Sequence, residues 1–127
     1  MVLDTEDCLR QVMAIRGALG AALVDYASGL AIRSAGHAPS DDHQVTTAGV
    51  ARVVCAMLTG AGFIAPGQLG RVDDLVVTAG NGYHLVHFVT GRWDAPLALY
   101  VWLDRTRGNL AMTQRRVRAA VEELVAD

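Results

Sequence analysis

Four histidines, two cysteines and a few strand-end charges are the side chains of this sequence best suited to chemistry, and their spacing limits what they can do together. His84 and His87 stand three apart in a segment of strand character. Successive strand residues point to opposite faces, so the two cannot share a metal ion. His37 and His43 flank Asp41 and Asp42, a set of metal-binding residue types. The same spacing suits a polar loop running into a capped helix, with the acids at the positive end of its dipole, and that use is preferred. Cys8 and Cys55 lie far apart in helix-like segments and form no C-x-x-C motif. They read as reduced core thiols rather than as a disulfide or a zinc site. Asp25, Asp104 and Arg105 fall at strand ends. Asp104 beside Arg105 resembles an active-site pair, yet turn and cap duty accounts for the same positions. No serine occupies a G-x-S-x-G, and segment order suggests no cysteine–histidine pairing.

All 11 basic residues are arginine. Without lysine there is no Walker-A loop, no Schiff-base amine and no lysine general base. The residues thus offer no nucleophile with a base, no metal site and no cofactor motif, and the chain reads as non-enzymatic. Arg105, Arg107, Arg115, Arg116 and Arg118 make a basic stretch. A net charge of −2 argues against nucleic-acid binding, so the stretch reads as an exposed helix face open to an acidic partner. Arg92 and Trp93 share a polar loop at residues 90–96 and are the candidate partner contacts. Aromatics in such loops favour binding surfaces, and Arg92 is where an arginine finger would have to sit.

The elements that must position these residues follow from hydrophobic spacing. Residues 4–16 read as a helix capped by Asp4, with Leu9, Val12, Met13 and Arg16 on one face. Residues 19–25 are apolar on both faces, as in a central strand, and turn through Gly29 into a second strand at 30–35. Ser40 can cap a second helix that runs to about Thr59. Its bulky stripe is Val50, Val53, Val54, Met57 and Leu58. Small residues, among them Ala48, Gly49 and Ala56, fill much of the rest. A helix apolar nearly all round needs cover on more than one side. A third strand at 72–79 and a fourth at 83–89 are joined by a Gly80-Asn81-Gly82 turn. A fifth strand at 97–104 is very apolar and therefore central. Residues 106–125 form the last helix, with Leu110, Val117, Val121 and Leu124 buried and an Arg118–Glu122 pair outside.

The 127 residues suit one domain, 1–127, and 52 % are hydrophobic against 19 % charged, too apolar for disorder. No apolar run reaches the ~18 to 20 residues needed to span a bilayer. The acidic N-terminus lacks the basic segment of a signal peptide, so a cytoplasmic location is expected.

Three stretches carry a family resemblance: 13–29 (MAIRGALGAALVDYASG), 72–85 (VDDLVVTAGNGYHL) and 97–112 (LALYVWLDRTRGNLAM). In their order and pattern the chain resembles the roadblock (dynein light chain-like) family in its short single-domain form. The resemblance implies an α/β, profilin-like sandwich: a five-stranded antiparallel sheet with helix two on one face and helices one and three on the other. It also implies a homodimer in which third strands pair and second helices lie side by side. Such dimers serve as platforms for small Ras-like GTPases. The expected interface residues are Ala48, Gly49, Val53, Ala56 and Met57 on helix two with Leu75 and Val77 on strand three. Two features of the residues agree independently: helix two needs a second cover, and strand three is expected at a sheet edge with unpaired backbone groups. One isologous contact satisfies both. The implied role is a regulatory scaffold without a cofactor, its partners a second copy and a small GTPase. A small-molecule-sensing module of PAS or GAF shape is the alternative, marked by a pocket of several hundred Å³ between sheet and helices.

Overall fold

In the computed structural model, residues 4–60, 62–64, 72–90 and 96–125 are described. The elements are α1 (Thr5–Met13), β1 (Ala18–Asp25), β2 (Leu30–Gly36), α2 (His43–Gly60), β3 (Asp74–Ala79), β4 (Gly82–Val89), β5 (Leu97–Leu103) and α3 (Leu110–Val125). The five strands form one antiparallel sheet in the order β2-β1-β5-β4-β3. β5 is central, as its composition predicts, and β3 is an edge, as expected. Among the described residues no helix is long and apolar enough to cross a membrane.

Strand alternation divides the core in two. Ala21, Leu23, Leu85, Leu99 and Val101 face α1 and α3, where they meet Val12, Val117 and Leu124. Ala22, Val24, Val86, Phe88, Ala98 and Tyr100 face the other way, where they meet Val54 and Met57 of α2. Full burial of each such aliphatic side chain stabilises by about 1.5–3 kcal/mol, which makes these two layers the main support of the fold. α2 packs on β1 and β2. It sits tightly there because the β1–β2 turn ends in Gly29 at φ +81, where a Cβ would come within 3.3 Å of the Ala48 Cα. A side chain at Gly29 would therefore both strain the backbone and lift the helix.

Helix boundaries differ from the sequence expectation where side chains bind the backbone locally. Asp4 caps α1 as expected, its Oδ1 accepting from the Asp7 N–H at 2.8 Å. α1 stops at Met13, short of Arg16, because Gly17 turns the chain at φ +88. The cap of α2 is Asp42 rather than Ser40: Asp42 Oδ1 accepts from the Gln44 N–H at 2.9 Å. Ser40 instead donates to the Asp42 carbonyl at 2.8 Å. α3 begins at Leu110, not near Thr106, because the Asp104 carboxylate holds the preceding turn through the Thr106 and Arg107 N–H groups. Asn109 then caps the helix, accepting from the Met112 N–H at 2.9 Å. Within α3, Leu110 is only half-buried and Thr113 takes the inner position, its hydroxyl donating to the Asn109 carbonyl at 2.7 Å. Arg118 reaches Asp73 at 3.8 Å, across to the start of β3 rather than along its own helix to Glu122.

The two cysteines part company. Cys8 is buried between α1 and α3, and burial, reinforced by the nearby Glu123 carboxylate, pushes its thiol up to about 11. Cys55, expected in the core, is exposed on α2 because the inward line of that helix runs through Thr47, Ala51, Val54 and Met57. Ellman's reagent at pH 8 should therefore label Cys55 alone in the native protein and both thiols after unfolding. Equal native labelling of Cys8 would contradict its placement.

Candidate interaction surface

α2 runs over β1 and β2, its Val54 and Met57 pack with Val86, Phe88 and Tyr100, and between the helix and β3 lies an open groove. Its volume is about 260 Å³. One wall is α2, through Gly49, Val50 and Val53. The other is β3, through Leu75 and Val77, and the floor is His84, Val86 and Tyr100. The register explains the set: Leu75 pairs with Val86 and Val77 with His84, so all four share one face. Val53 and Val77 are 49 % and 46 % exposed, so two β-branched apolar side chains remain half in water at the groove rims. Covering both would add about 1 kcal/mol each.

The groove opens toward the free edge of β3. The Phe88 N–H donates to the Asp73 carbonyl at 3.1 Å, which fixes the alternation of the ladder. Leu75, Val77 and Ala79 then bond inward to β4, and the backbones of Asp74, Val76 and Thr78 face outward. Within the strand itself nothing blunts this edge: β3 has no proline, no bulge against β4 and no charge beyond Asp74. Asp74 itself turns to Gln114 of α3, which donates to it at 3.2 Å. The opposite edge is protected. The β1–β2 register shifts at Leu23/Val24, and Arg33 of β2 folds onto α1, donating to Thr5 Oγ1 at 3.0 Å. Bulges and charged side chains of this kind are how sheets prevent edge pairing.

The structure sorts the seven residues expected at an interface. Gly49, Val53, Leu75 and Val77 line the groove together. Ala56 is exposed on α2 beyond it. At 100° per residue, Val45, Gly49, Val53 and Ala56 span about 80° of the helix, a narrow stripe of two valines, a glycine and an alanine beside the face that packs on the sheet. Ala48 and Met57 belong elsewhere. Ala48 lies against the β1–β2 turn, and Met57 is 9 % exposed, within the core of its own chain. Val53 does not share the bulky inner stripe with Val54 as its spacing suggests, because a step of one residue rotates it by about 100°, out to the groove. The polar part of the floor escapes the sequence reading. Its signal is present all the same: His84, Val86 and Tyr100 follow the same two-residue alternation as Leu75 and Val77. Arg92 and Trp93 lie outside the described residues.

The residues of chemical type are occupied locally. Asp25 accepts from the Ala27 and Ser28 N–H groups at 3.0 and 3.1 Å, holding the β1–β2 turn. Arg105 donates to the Ala79 carbonyl at 3.1 Å and lies 5.6 Å from the Tyr83 ring centre, tying β5's end to the β3–β4 turn. His43 Nε2 is 2.9 Å from the Gly36 carbonyl. Among the described residues no group of three or more His, Cys, Asp or Glu is placed to hold a metal.

No protein-family model matches the sequence, and comparison with curated proteins finds no match. Solved structures do share the architecture. The roadblock/LC7 domain from Streptomyces avermitilis aligns over 96 % of this chain and 95 % of that one, at 18 % identity and a TM-score of 0.73. The gliding protein MglB from Thermus thermophilus aligns over 98 % and 93 %, at 20 % identity and 0.76. An MglB with tetrameric arrangement aligns over 98 % and 92 %, at 19 % identity and 0.76. The chain therefore has the roadblock fold, an α/β sandwich with α2 on one face and α1 and α3 on the other.

The groove floor and the layer behind it are sensitive to acid. Asn81 Oδ1 lies 2.8 Å from His84 Nε2, so Nε2 carries the proton and the Tyr100 hydroxyl donates to Nδ1 at 2.8 Å. Burial lowers the His84 pKa below 6.5 and pushes the Tyr100 hydroxyl up. His87, on the opposite face, is lowered mainly by burial; Asp74, Asp73 and Glu122 pull it back up, while Arg118 lowers it. A base lowered in the folded state binds fewer protons there than in the unfolded chain. Its stabilisation is complete above pH 6.5 and is lost as pH falls through the folded-state value. The urea midpoint should drop as pH falls below 6.5, and replacing both histidines by glutamine should flatten that slope. An unchanged slope would place the acid sensitivity elsewhere.

Proposed function

We propose that this roadblock-fold chain is a non-enzymatic regulatory scaffold: a homodimer that binds and modulates a small Ras-like GTPase. The observation that carries the proposal is the continuity of the apolar groove with the unprotected edge of β3. A second copy related by a two-fold axis would satisfy both at once. Its β3 would take the outward backbone groups of Asp74, Val76 and Thr78, and its α2 would lie along the Val45–Gly49–Val53–Ala56 stripe. Gly49 and Ala56 allow two helix backbones to approach closely there. The tetrameric arrangement of one similar structure adds support for assembly through this fold.

The GTPase partner rests on the family resemblance. The space between the sheet and α2 is an open groove on one side rather than an enclosed chamber, which favours a scaffold over a PAS- or GAF-like sensor with a ligand held between sheet and helix. The residues of chemical type serve turns, caps and edges, in keeping with a role without catalysis.

Sedimentation of the wild-type chain should show a dimer at micromolar concentration. Val53→Glu and Val77→Glu each place a charge on a half-exposed position, so the protomer should fold normally while the dimer weakens by about 3 kcal/mol, roughly 100-fold. Val54 and Met57 are unsuitable for this test because both belong to the core. Affinity capture with quantitative identification should then find a small GTPase on the wild type and not on the two variants. A wild-type chain that stays monomeric at high micromolar concentration would contradict the scaffold.

A further inference from the structure

The arginine-rich stretch does not act as one surface. Arg105 is committed to the β3–β4 turn and Arg118 to Asp73. Arg107 and Arg116 instead meet Arg16, from the far side of the chain, around one cavity of about 360 Å³. This cavity lies between the end of α1 and the start of α3, on the opposite sheet face from the groove.

Its walls are held by backbone. The Asp104 N–H donates to the Gly17 carbonyl at 2.8 Å, and the Gly108 N–H donates to the Asp104 carbonyl at 2.9 Å. Gly17 and Gly108 touch so closely that a Cβ on Gly17 would come 2.7 Å from the Gly108 Cα. This contact brings Arg16 and Arg107, each beside one of the two glycines, to the same rim. The third wall is one face of α3: Asn109, Met112, Thr113 and Arg116 recur at helical spacing. Ile15, which is buried, and Met112, which is 53 % exposed, supply apolar surface. Among the described residues no acid lines the cavity. Asp104 in the loop accepts from the Thr106 hydroxyl and the Thr106 and Arg107 N–H groups, and the nearby Arg107 charge adds to the pull that lowers its carboxyl pKa.

We propose that this cavity binds a small organic phosphate monoester, its phosphate held by Arg16, Arg107 and Arg116 and its apolar body against Ile15 and Met112. Guanidinium forks pair with oxyanions through parallel charge-assisted hydrogen bonds. Three of them match the three terminal oxygens of a phosphate dianion, whereas a carboxylate offers only two. The positive end of the α3 dipole adds to the same field. The volume falls in the range of small-molecule sites rather than of a flat protein contact. Because the cavity and the groove lie on opposite faces, ligand binding and oligomeric state can be measured separately.

Isothermal titration calorimetry with phenyl phosphate, inorganic phosphate and benzoate tests the site. Phenyl phosphate should bind at one site per chain, severalfold tighter than inorganic phosphate, and benzoate should bind weakest. Arg107→Gln and Arg116→Gln should each weaken phenyl phosphate roughly tenfold. Arg115→Gln, one residue away and outside the cavity, should leave it unchanged. Met112→Ser should remove the advantage of phenyl phosphate over inorganic phosphate, with circular dichroism confirming the fold of every variant. The proposal is overturned by any of three results: no saturable phenyl phosphate binding at millimolar concentration, equal weakening by Arg115→Gln and Arg116→Gln, or benzoate binding as tightly as phenyl phosphate.

Discussion

The outward backbone of β3 is the constraint on which the rest of this structure turns. Asp74, Val76 and Thr78 each present an N–H and a C=O to the edge of a five-stranded sheet. α1 and α3 close one face, while α2, seated by the Gly29 turn on β1 and β2, leaves an open groove between itself and β3. The unpaired edge and the uncovered face meet along one line. Natural edges are usually blunted, and the β2 edge is: it has a register shift and an arginine folded across it. The contrast between the two edges within one sheet is the main physical reason to assign β3 to an interface.

The same geometry accounts for what the polar residues do. Asp25, Asp42, Asp104 and Asn109 each hold a turn or a helix start through backbone N–H groups. Arg105 and Trp102 anchor the β3–β4 turn, the indole donating to the Asn81 carbonyl at 2.9 Å. These contacts fix the position of the exposed strand relative to the sheet centre. If the edge pairs as proposed, that rigidity helps, because a mobile edge would lose more conformational entropy on pairing. The arginine cavity is built in the same manner, by backbone contacts between two glycines, but on the other face.

Much of this fold is legible in the sequence because its signals are local and periodic. β1 and β5 are apolar on both faces, which marks them as central, and Gly80-Asn81 marks the tight turn that puts β3 beside β4. Helix starts are less legible. Ser40 and Thr106 are good caps by type, but Asp42 and Asn109 win because neighbouring carboxylates and turns decide where the helical geometry begins. The residues expected at an interface come together only in part. Gly49, Val53, Leu75 and Val77 converge as expected, whereas Ala48 and Met57 are used by the chain's own turn and core. A helix apolar nearly all round does not reveal which stripe the core takes. That choice depends on where the β1–β2 turn seats the helix, a long-range contact. The convergence of Arg16 with Arg107 and Arg116 is hidden for the same reason.

The most direct measurement is amide hydrogen exchange along β3 as a function of protein concentration. The account predicts that the outward N–H groups of Asp74, Val76 and Thr78 exchange slowly at high concentration, where a second copy pairs with them. On dilution they should speed up, while those of Leu75 and Val77, bonded to β4, remain slow. If the outward amides exchange rapidly at every concentration, or slow down equally in the dilute monomer, the edge is not covered by a second copy and the scaffold built on it does not stand.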